Sequence, residues 1–138
     1  MSTQMTLAIV KPDCFAEGHA GEVVHAYESE GLRLIGAMVV SLNAEHAAAF
    51  YAEHAGKPFF GSLLEYMTSG PVLVLALEGD DAISKVRRIN GATDPEEAEA
   101  GTLRDRFGKS ITNNAVHASA NGDDAKRELA FFFPELAR

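Results

Sequence analysis

The chain has little that would staple it, anchor it or draw it to a polyanion. One cysteine, Cys14, stands in 138 residues. That excludes an internal disulfide and fits a reducing compartment. No basic segment followed by a long apolar run opens the chain. The first apolar stretch, Leu7 to Val10, is closed by Lys11-Pro12, and the longest, Pro71 to Leu77, is also short. A membrane-spanning helix takes about 20 apolar residues. These absences read as a cytoplasmic protein with no membrane partner. Cations are scarce: 12 Lys and Arg stand against 20 Asp and Glu, a formal charge of −8. A nucleic acid or an anionic membrane is therefore not expected as the main partner. A small polyanionic substrate needs only a few local cations and stays compatible.

Standard site motifs are missing too. Gly108-Lys109-Ser110 looks like the end of a Walker loop, but Leu103 holds the position of the required glycine and no strand precedes it. No GxGxxG, HExxH or CxxC occurs, and the five histidines, His19, His25, His46, His54 and His117, lack tight metal-ligand spacing. Repeats, low-complexity tracts and interdomain linkers are also absent.

What is present reads as one globular domain, residues 1–138, with 46% hydrophobic and 23% charged residues. Thr6 to Val10 reads as a buried strand. Residues 19–30 read as a helix with Ala20, Val23, Val24 and Tyr27 on one face and Gly31 as its stop. Leu32 to Leu42 is a long strand with Leu32, Leu34, Met38 and Val40 on one face and Ile35, Ala37 and Val39 on the other. Asn43 is placed to cap a helix carrying Ala47, Phe50, Tyr51 and His54. A short helix covers Gly61 to Met67, and Pro71 to Glu78 is a strand apolar on both faces. Asp80 or Asp81 opens a helix with Ile83, Val86 and Ile89 inward. Residues 91–113 form a long connection of little periodicity, which in a compact domain signals function. Ala115 to Ala118 is a short strand, and Asp123 caps a last helix with Ala125, Leu129, Phe132 and Phe133.

The order β-α-β-α-α-β-α-loop-β-α contains the split β-α-β arrangement. It predicts an α+β fold, a ferredoxin-like α/β sandwich with a four-stranded antiparallel sheet and helices on one face. The second strand is apolar on both sides. At an edge it would invite aggregation unless covered, which points to a homo-oligomer that buries it.

His117 is the residue of most chemical interest. A neutral imidazole is nucleophilic and largely unprotonated near pH 7. Ser119 follows it and Arg104 precedes it. Lys11, Tyr51, Phe59, Arg87, Thr93 and Asn114 are further anion-binding or nucleotide-shaped residues. Each alone has an ordinary explanation as surface charge or core; their occurrence together does not.

Six segments carry a resemblance. Ile9-Val10-Lys11-Pro12-Asp13, Pro58-Phe59-Phe60, Ser69-Gly70-Pro71-Val72, Gly91-Ala92-Thr93-Asp94-Pro95, Gly101-Thr102-Leu103-Arg104 and Asn114-Ala115-Val116-His117 fall in the order and spacing of nucleoside diphosphate kinases. The chain resembles that family over nearly its whole length. The resemblance implies that His117 takes the γ-phosphate of a nucleoside triphosphate, chiefly ATP, and passes it to a different diphosphate in two half-reactions. Lys11 and Asn114 then match groups at the ribose hydroxyls and a nearby phosphate. Arg87 and Thr93 match β-phosphate binders, Arg104 the cation at the transferring group, and Tyr51 a hydroxyl close to it. Phe59 matches the aromatic stacked on the base, and Ser119 with Glu128 the pair that orients the imidazole. Mg²⁺ is implied on the nucleotide phosphates, with no direct protein ligand. Stacking on a π-face implies broad base tolerance.

Family members usually read His-Gly-Ser-Asp-Ser at the active histidine, whereas this chain reads His117-Ala118-Ser119-Ala120-Asn121. Alanine for glycine is costly only where φ is positive. The lost aspartate removes a carboxylate from a local turn or an intersubunit contact. These changes motivate an alternative, a catalytically weakened nucleotide-binding regulatory module of the same fold. The chain ends soon after Phe133-Pro134, short of the tail of some relatives, which leaves tetramer and hexamer, both built from dimers, as the expected assemblies.

Overall fold

Strand β1 (Thr3–Val10) buries residues on both sides, Leu7 and Ile9 on one and Ala8 and Val10 on the other. Successive side chains of a strand point to opposite faces, so such a strand needs cover on both. The computed structural model, which describes residues 3–136, supplies it. β1 lies inside a four-stranded antiparallel sheet with β2 (Arg33–Val40), β3 (Val72–Asp80) and β4 (Val116–Ala118), in the order β2-β3-β1-β4. β1 pairs with β3 from Thr3 opposite Asp80 to Val10 opposite Leu73, and its last three residues pair with β4.

Leu7, Ile9, Val74 and Ala76 pack against α3 (Ala44–Phe50), α4 (Phe60–Met67) and α7 (Gly122–Phe132). Ala8, Val10, Leu75 and Leu77 pack against α2 (Ala20–Glu28), α5 (Ala82–Asn90) and Leu103 of α6 (Leu103–Phe107). The ferredoxin-like α/β sandwich is borne out, but helices cover both faces, not one. The signal was in the sequence, since β1 and β3 are apolar on both sides.

Register corrects the reading of the second strand. Leu34 faces Leu77 while Gly36 faces Ala76, so Ile35 is an extra residue in a bulge. A one-residue slip exchanges the faces. Leu32 and Leu34 therefore join the α2–α5 layer, and Ile35, Met38 and Val40 the α3–α7 layer. β2 is an edge strand, and Val39 on it is 58% exposed.

Short elements escaped the periodicity reading. α1 (Pro12–Ala16) has five residues and starts with proline in its first turn. Within 91–113 stand a 3-10 turn, Pro95–Glu97, and α6. Both are opened by side-chain caps, with Asp94 accepting from the Glu96 N–H and Thr102 from that of Asp105. Asn43 caps α3 as expected, by accepting from His46 N. The last helix is capped by Asn121 rather than Asp123, which falls in its first turn. Asp81 precedes α5 with φ +52° and makes no side-chain cap.

Candidate active site

The approach to His117 is a forced turn. Ala115 has φ +76°, and Val116 N–H donates to Asn114 O at 2.9 Å. That is the i to i+2 bond of a γ-turn in its rarer, strained form. Lys11 N–H donates to Ala115 O at 2.9 Å, which ties the end of β1 to the turn. His117 then lies opposite Ile9 in the sheet. Its ring is on the α3–α7 side, edge-on to Phe50 and Tyr51 at centroid distances of 5.4 and 5.9 Å.

One carboxylate oxygen organises the imidazole. Glu128 Oε1 lies 2.9 Å from His117 Nε2 and accepts from Ser119 Oγ at 2.8 Å. Glu128 is 2% exposed. Burial pushes its carboxyl up, but the hydrogen bond and charge of His117, the Ser119 hydroxyl and Arg127 outweigh burial and hold it below its ordinary range. An ionised carboxylate can only accept, so Nε2 carries the proton. The Nδ1 lone pair is then the free one, and Nδ1 has no hydrogen-bond partner among the described residues.

Cations approach from the other strand end and the long connection. Lys11 Nζ donates to Asn114 Oδ1 at 2.7 Å, and Asn114 Nδ2 donates to Thr93 O at 3.0 Å. Burial, and then the charge of Arg104, pull the Lys11 amine down to about 7, against a smaller opposing effect of Asp13. Arg104 donates from Nη1 to Gly91 O and from Nη2 to Val116 O, both at 2.8 Å. Its guanidinium is thus fixed beside the residue that precedes His117. Gly91 makes this possible: its φ is +89°, and a Cβ there would stand 2.5 Å from Thr102 Oγ1. Arg87, on the last turn of α5, has no ion pair among the described residues.

These groups line one cavity of about 470 Å³. Lys11, Tyr51, Phe59, Arg87, Thr93, Arg104, Asn114, His117 and Glu128 all border it. Ser119 does not; it is fully buried behind Glu128. Tyr51 Oη is buried without a hydrogen-bond partner among the described residues, as is Arg104 Nε. Burial, then the charges of Glu128 and Glu53, push the Tyr51 phenol up, so it stays a donor. A buried donor without an acceptor costs free energy that an anionic ligand would recover.

Five lining residues were not singled out in the sequence: Glu53, Leu63, Ile111, Thr112 and Asp124. Ile111 and Phe59 are 60% and 43% exposed, large apolar side chains on the wall of one cleft. An isoleucine inside the polar run Gly108 to Asn114 was the available clue. Oxygens of Glu53, Asp124 and Glu128 lie within 4.8 Å of one another. No sequence spacing announces that group, because the 3-10 turn after α3 and the α7 helix meet only in the fold.

The departure at 118 suits the local backbone. Among the described residues other than glycine, only Asp81 and Ala115 have positive φ. Ala118 therefore carries no backbone penalty. Ala120 borders the cavity, and so does Asp124, one turn into α7.

A ferredoxin-like sandwich that holds an imidazole with an unpartnered nitrogen in a cation-lined cleft has the parts a phosphotransferase needs. Comparison with known proteins makes the class specific. Residues 4–137 match the family described as nucleoside diphosphate kinase. Relatives named nucleoside diphosphate kinase from Campylobacter fetus and Halorhodospira halophila are each 50% identical, over 94% and 96% of this chain and 95% and 94% of their own. The solved Aquifex aeolicus nucleoside diphosphate kinase superposes with TM-score 0.95 at 39% identity, covering 99% of both chains. A halophilic Halobacterium salinarum nucleoside diphosphate kinase, solved in complex with CDP, gives 0.91 at 39% identity, over 96% of this chain and 88% of that one. The chain belongs to the nucleoside diphosphate kinase family, and its activity is that of a nucleoside diphosphate kinase rather than of a regulatory module.

Proposed function

We propose that residues 1–138 act as one catalytic domain that works by a ping-pong mechanism through a phosphohistidine at His117. The carrying observation is the imidazole held through Nε2 by Glu128, with Nδ1 free in the cavity. Nδ1 attacks the γ-phosphorus of a bound triphosphate, chiefly ATP. A P–N bond forms, the bond to the bridging oxygen breaks, and the diphosphate leaves with that electron pair. A second diphosphate then reverses the step. Throughout, Nε2–H stays hydrogen-bonded to Glu128, which offsets the charge that builds on the ring.

The remaining roles are those that the family resemblance implies, and the shared cavity supports them. Arg104 and the Tyr51 hydroxyl face the transferring group; Arg87 and Thr93 hold the β-phosphate. Lys11 and Asn114 bind the ribose hydroxyls and the adjacent phosphate. Phosphoryl transfer gains most from such fixed positive charge and positioning. The base lies against Phe59, with Ile111 as a second apolar contact. Stacking reads no base edge, so broad base tolerance follows.

Mg²⁺ fits this cavity as a cation carried in on the phosphates. Hard oxygen donors suit it, and Glu53 and Asp124 supply two carboxylates on the wall. Bound there, it would spread the negative charge of the polyphosphate. Arg127 already pairs with both carboxylates, which favours phosphates over protein as its main ligands.

The exposed edge strand β2, with Val39, supports a homo-oligomer that covers it, a tetramer or hexamer built from dimers. No helix among the described residues is long and apolar enough to cross a membrane. The single, buried, unpaired Cys14 supports a cytoplasmic setting.

The test is a two-step transfer. The protein is incubated with γ-labelled ATP, freed of nucleotide, and then given unlabelled GDP. An acid-labile protein phosphate should form and then disappear as labelled GTP appears, and His117→Ala should abolish both events. A protein that never takes up label would sink the proposal.

A further inference from the structure

Arg127 bridges two parts of the site that the sequence keeps far apart. It sits on α7, and its Nη1 donates to Phe50 O, at the end of α3, at 3.2 Å. Its Nη2 donates to Glu53 Oε1 at 3.2 Å and lies 3.5 Å from Glu128 Oε2 and 3.8 Å from Asp124 Oδ1. Three carboxylates and one carbonyl thus converge on a single guanidinium fork.

The two oxygens of Glu128 are used differently. Oε1 serves His117 and Ser119, whereas Oε2 has Arg127. The carboxylate is buried, so its rotation decides whether Oε1 faces the ring. Among the described residues, Arg127 is the one Lys or Arg within ion-pair distance of it. It also anchors the segment that carries Tyr51, whose ring meets His117 edge-on. Resting on the phosphohistidine reading, we propose that Arg127 is a positioning residue: it fixes the Glu128 carboxylate against His117, offsets its charge, and couples that pair to the Phe50–Glu53 segment.

The electrostatic consequence has a definite sign. Facing the His117–Glu128 pair are Ser119 from β4's end, Tyr51, Glu53 and His54 from the segment after α3, Asp124 and Arg127 from α7, and Lys11, Arg87 and Arg104 across the cavity. Removal of Arg127 leaves Glu53, Asp124 and Glu128 with less compensation. The more negative surroundings then favour imidazolium over imidazole. Only imidazole attacks, so phosphorylation is lost at a higher pH than in the parent protein.

Arg127→Met keeps most of the alkyl stem without the charge or the fork, and Arg127→Lys keeps the charge alone. In the full-length protein the His117 ring is titrated by NMR, and single-turnover phosphorylation by γ-labelled ATP is followed from pH 5 to 9. In Arg127→Met the His117 midpoint and the acid limb of the rate should both move up by about half a unit. That corresponds to about a threefold loss of rate on the acid limb, with nucleotide affinity changed less. Arg127→Lys should restore the midpoint but only part of the rate. A lowered melting temperature with an unmoved His117 midpoint overturns the proposal and leaves Arg127 a structural tie. A midpoint that moves down overturns it too. The ring titration needs no turnover, so it decides this point even if the wild-type protein takes no label, a result that would instead remove the phosphohistidine reading.

Discussion

Ser119 Oγ donates to Glu128 Oε1, the same oxygen that faces the His117 ring. The hydroxyl is fully buried and also lies 3.5 Å from Leu7 O, so β1, β4 and α7 meet at this carboxylate. Ser119→Ala should lower the phosphorylation rate about threefold to tenfold, a part of the worth of one hydrogen bond to a charged acceptor, because Ser119 acts on the ring only through Glu128. Glu128→Gln should cost more, about tenfold to a hundredfold, because the amide no longer offsets charge on the ring. Rapid-quench phosphorylation measures both. The Glu128 carboxyl is held below its ordinary range, so its contribution to stability is present above the unfolded value and lost as pH falls through the folded one. Acid unfolding of Glu128→Gln should therefore be less steep below about pH 4.5.

Lys11 is a charge kept against the interest of the fold. Its amine is buried and drawn down to about 7, whereas in the unfolded chain it titrates at its ordinary value. Between these values the unfolded state binds more protons, so stability rises with pH from about 7 towards 10; below 7 the charged amine costs the fold most. Lys11→Met should raise the melting temperature at pH 6 and flatten this rise. It should also cut the transfer rate about a hundredfold or more, as loss of a preorganised cation does. Calorimetry across pH, beside turnover assays, reads the two effects. Equal melting temperatures at pH 6 would show that Lys11 carries no such penalty.

Phe59→Ala should raise KM by roughly tenfold to a hundredfold, the worth of one stacked base. Adenine, guanine, cytosine and uracil nucleotides should suffer within a few-fold of one another, since a π-face does not read base edges. A loss confined to purines in competition assays would mean that the base is recognised by other contacts.

Gly91→Ala strains the backbone at φ +89° and drives a Cβ into Thr102. The cost should be about 2 kcal/mol or more, seen as a melting temperature lower by several degrees. Gly91 O also holds Arg104. The variant should therefore lose transfer rate even at temperatures where it is fully folded, which circular dichroism and turnover measured together would separate.

Much of this protein was legible in its sequence. Apolar runs located the four strands, and Gly31 and Asn43 marked a helix stop and a helix start. The ordered segments around Lys11, Thr93, Arg104 and His117 named the residues that the cavity gathers. Those signals are local, carried by alternation, caps and residue type, and they need no tertiary information. What the sequence left open was set at long range. The bulge at Ile35 reversed the faces of β2, because register is fixed by the partner strand. Five-residue helices such as α1 and α6 are too short to show a period; a first-turn proline starts the one, a threonine cap the other, and packing holds both. The identity of the free imidazole nitrogen, the lowered amine of Lys11 and the convergence of Glu53, Asp124 and Glu128 on Arg127 depend on distances between segments remote in the chain. Residue types determined which chemistry this protein can perform; only packing decided which atoms face one another, because burial and charge act through space and not along the sequence.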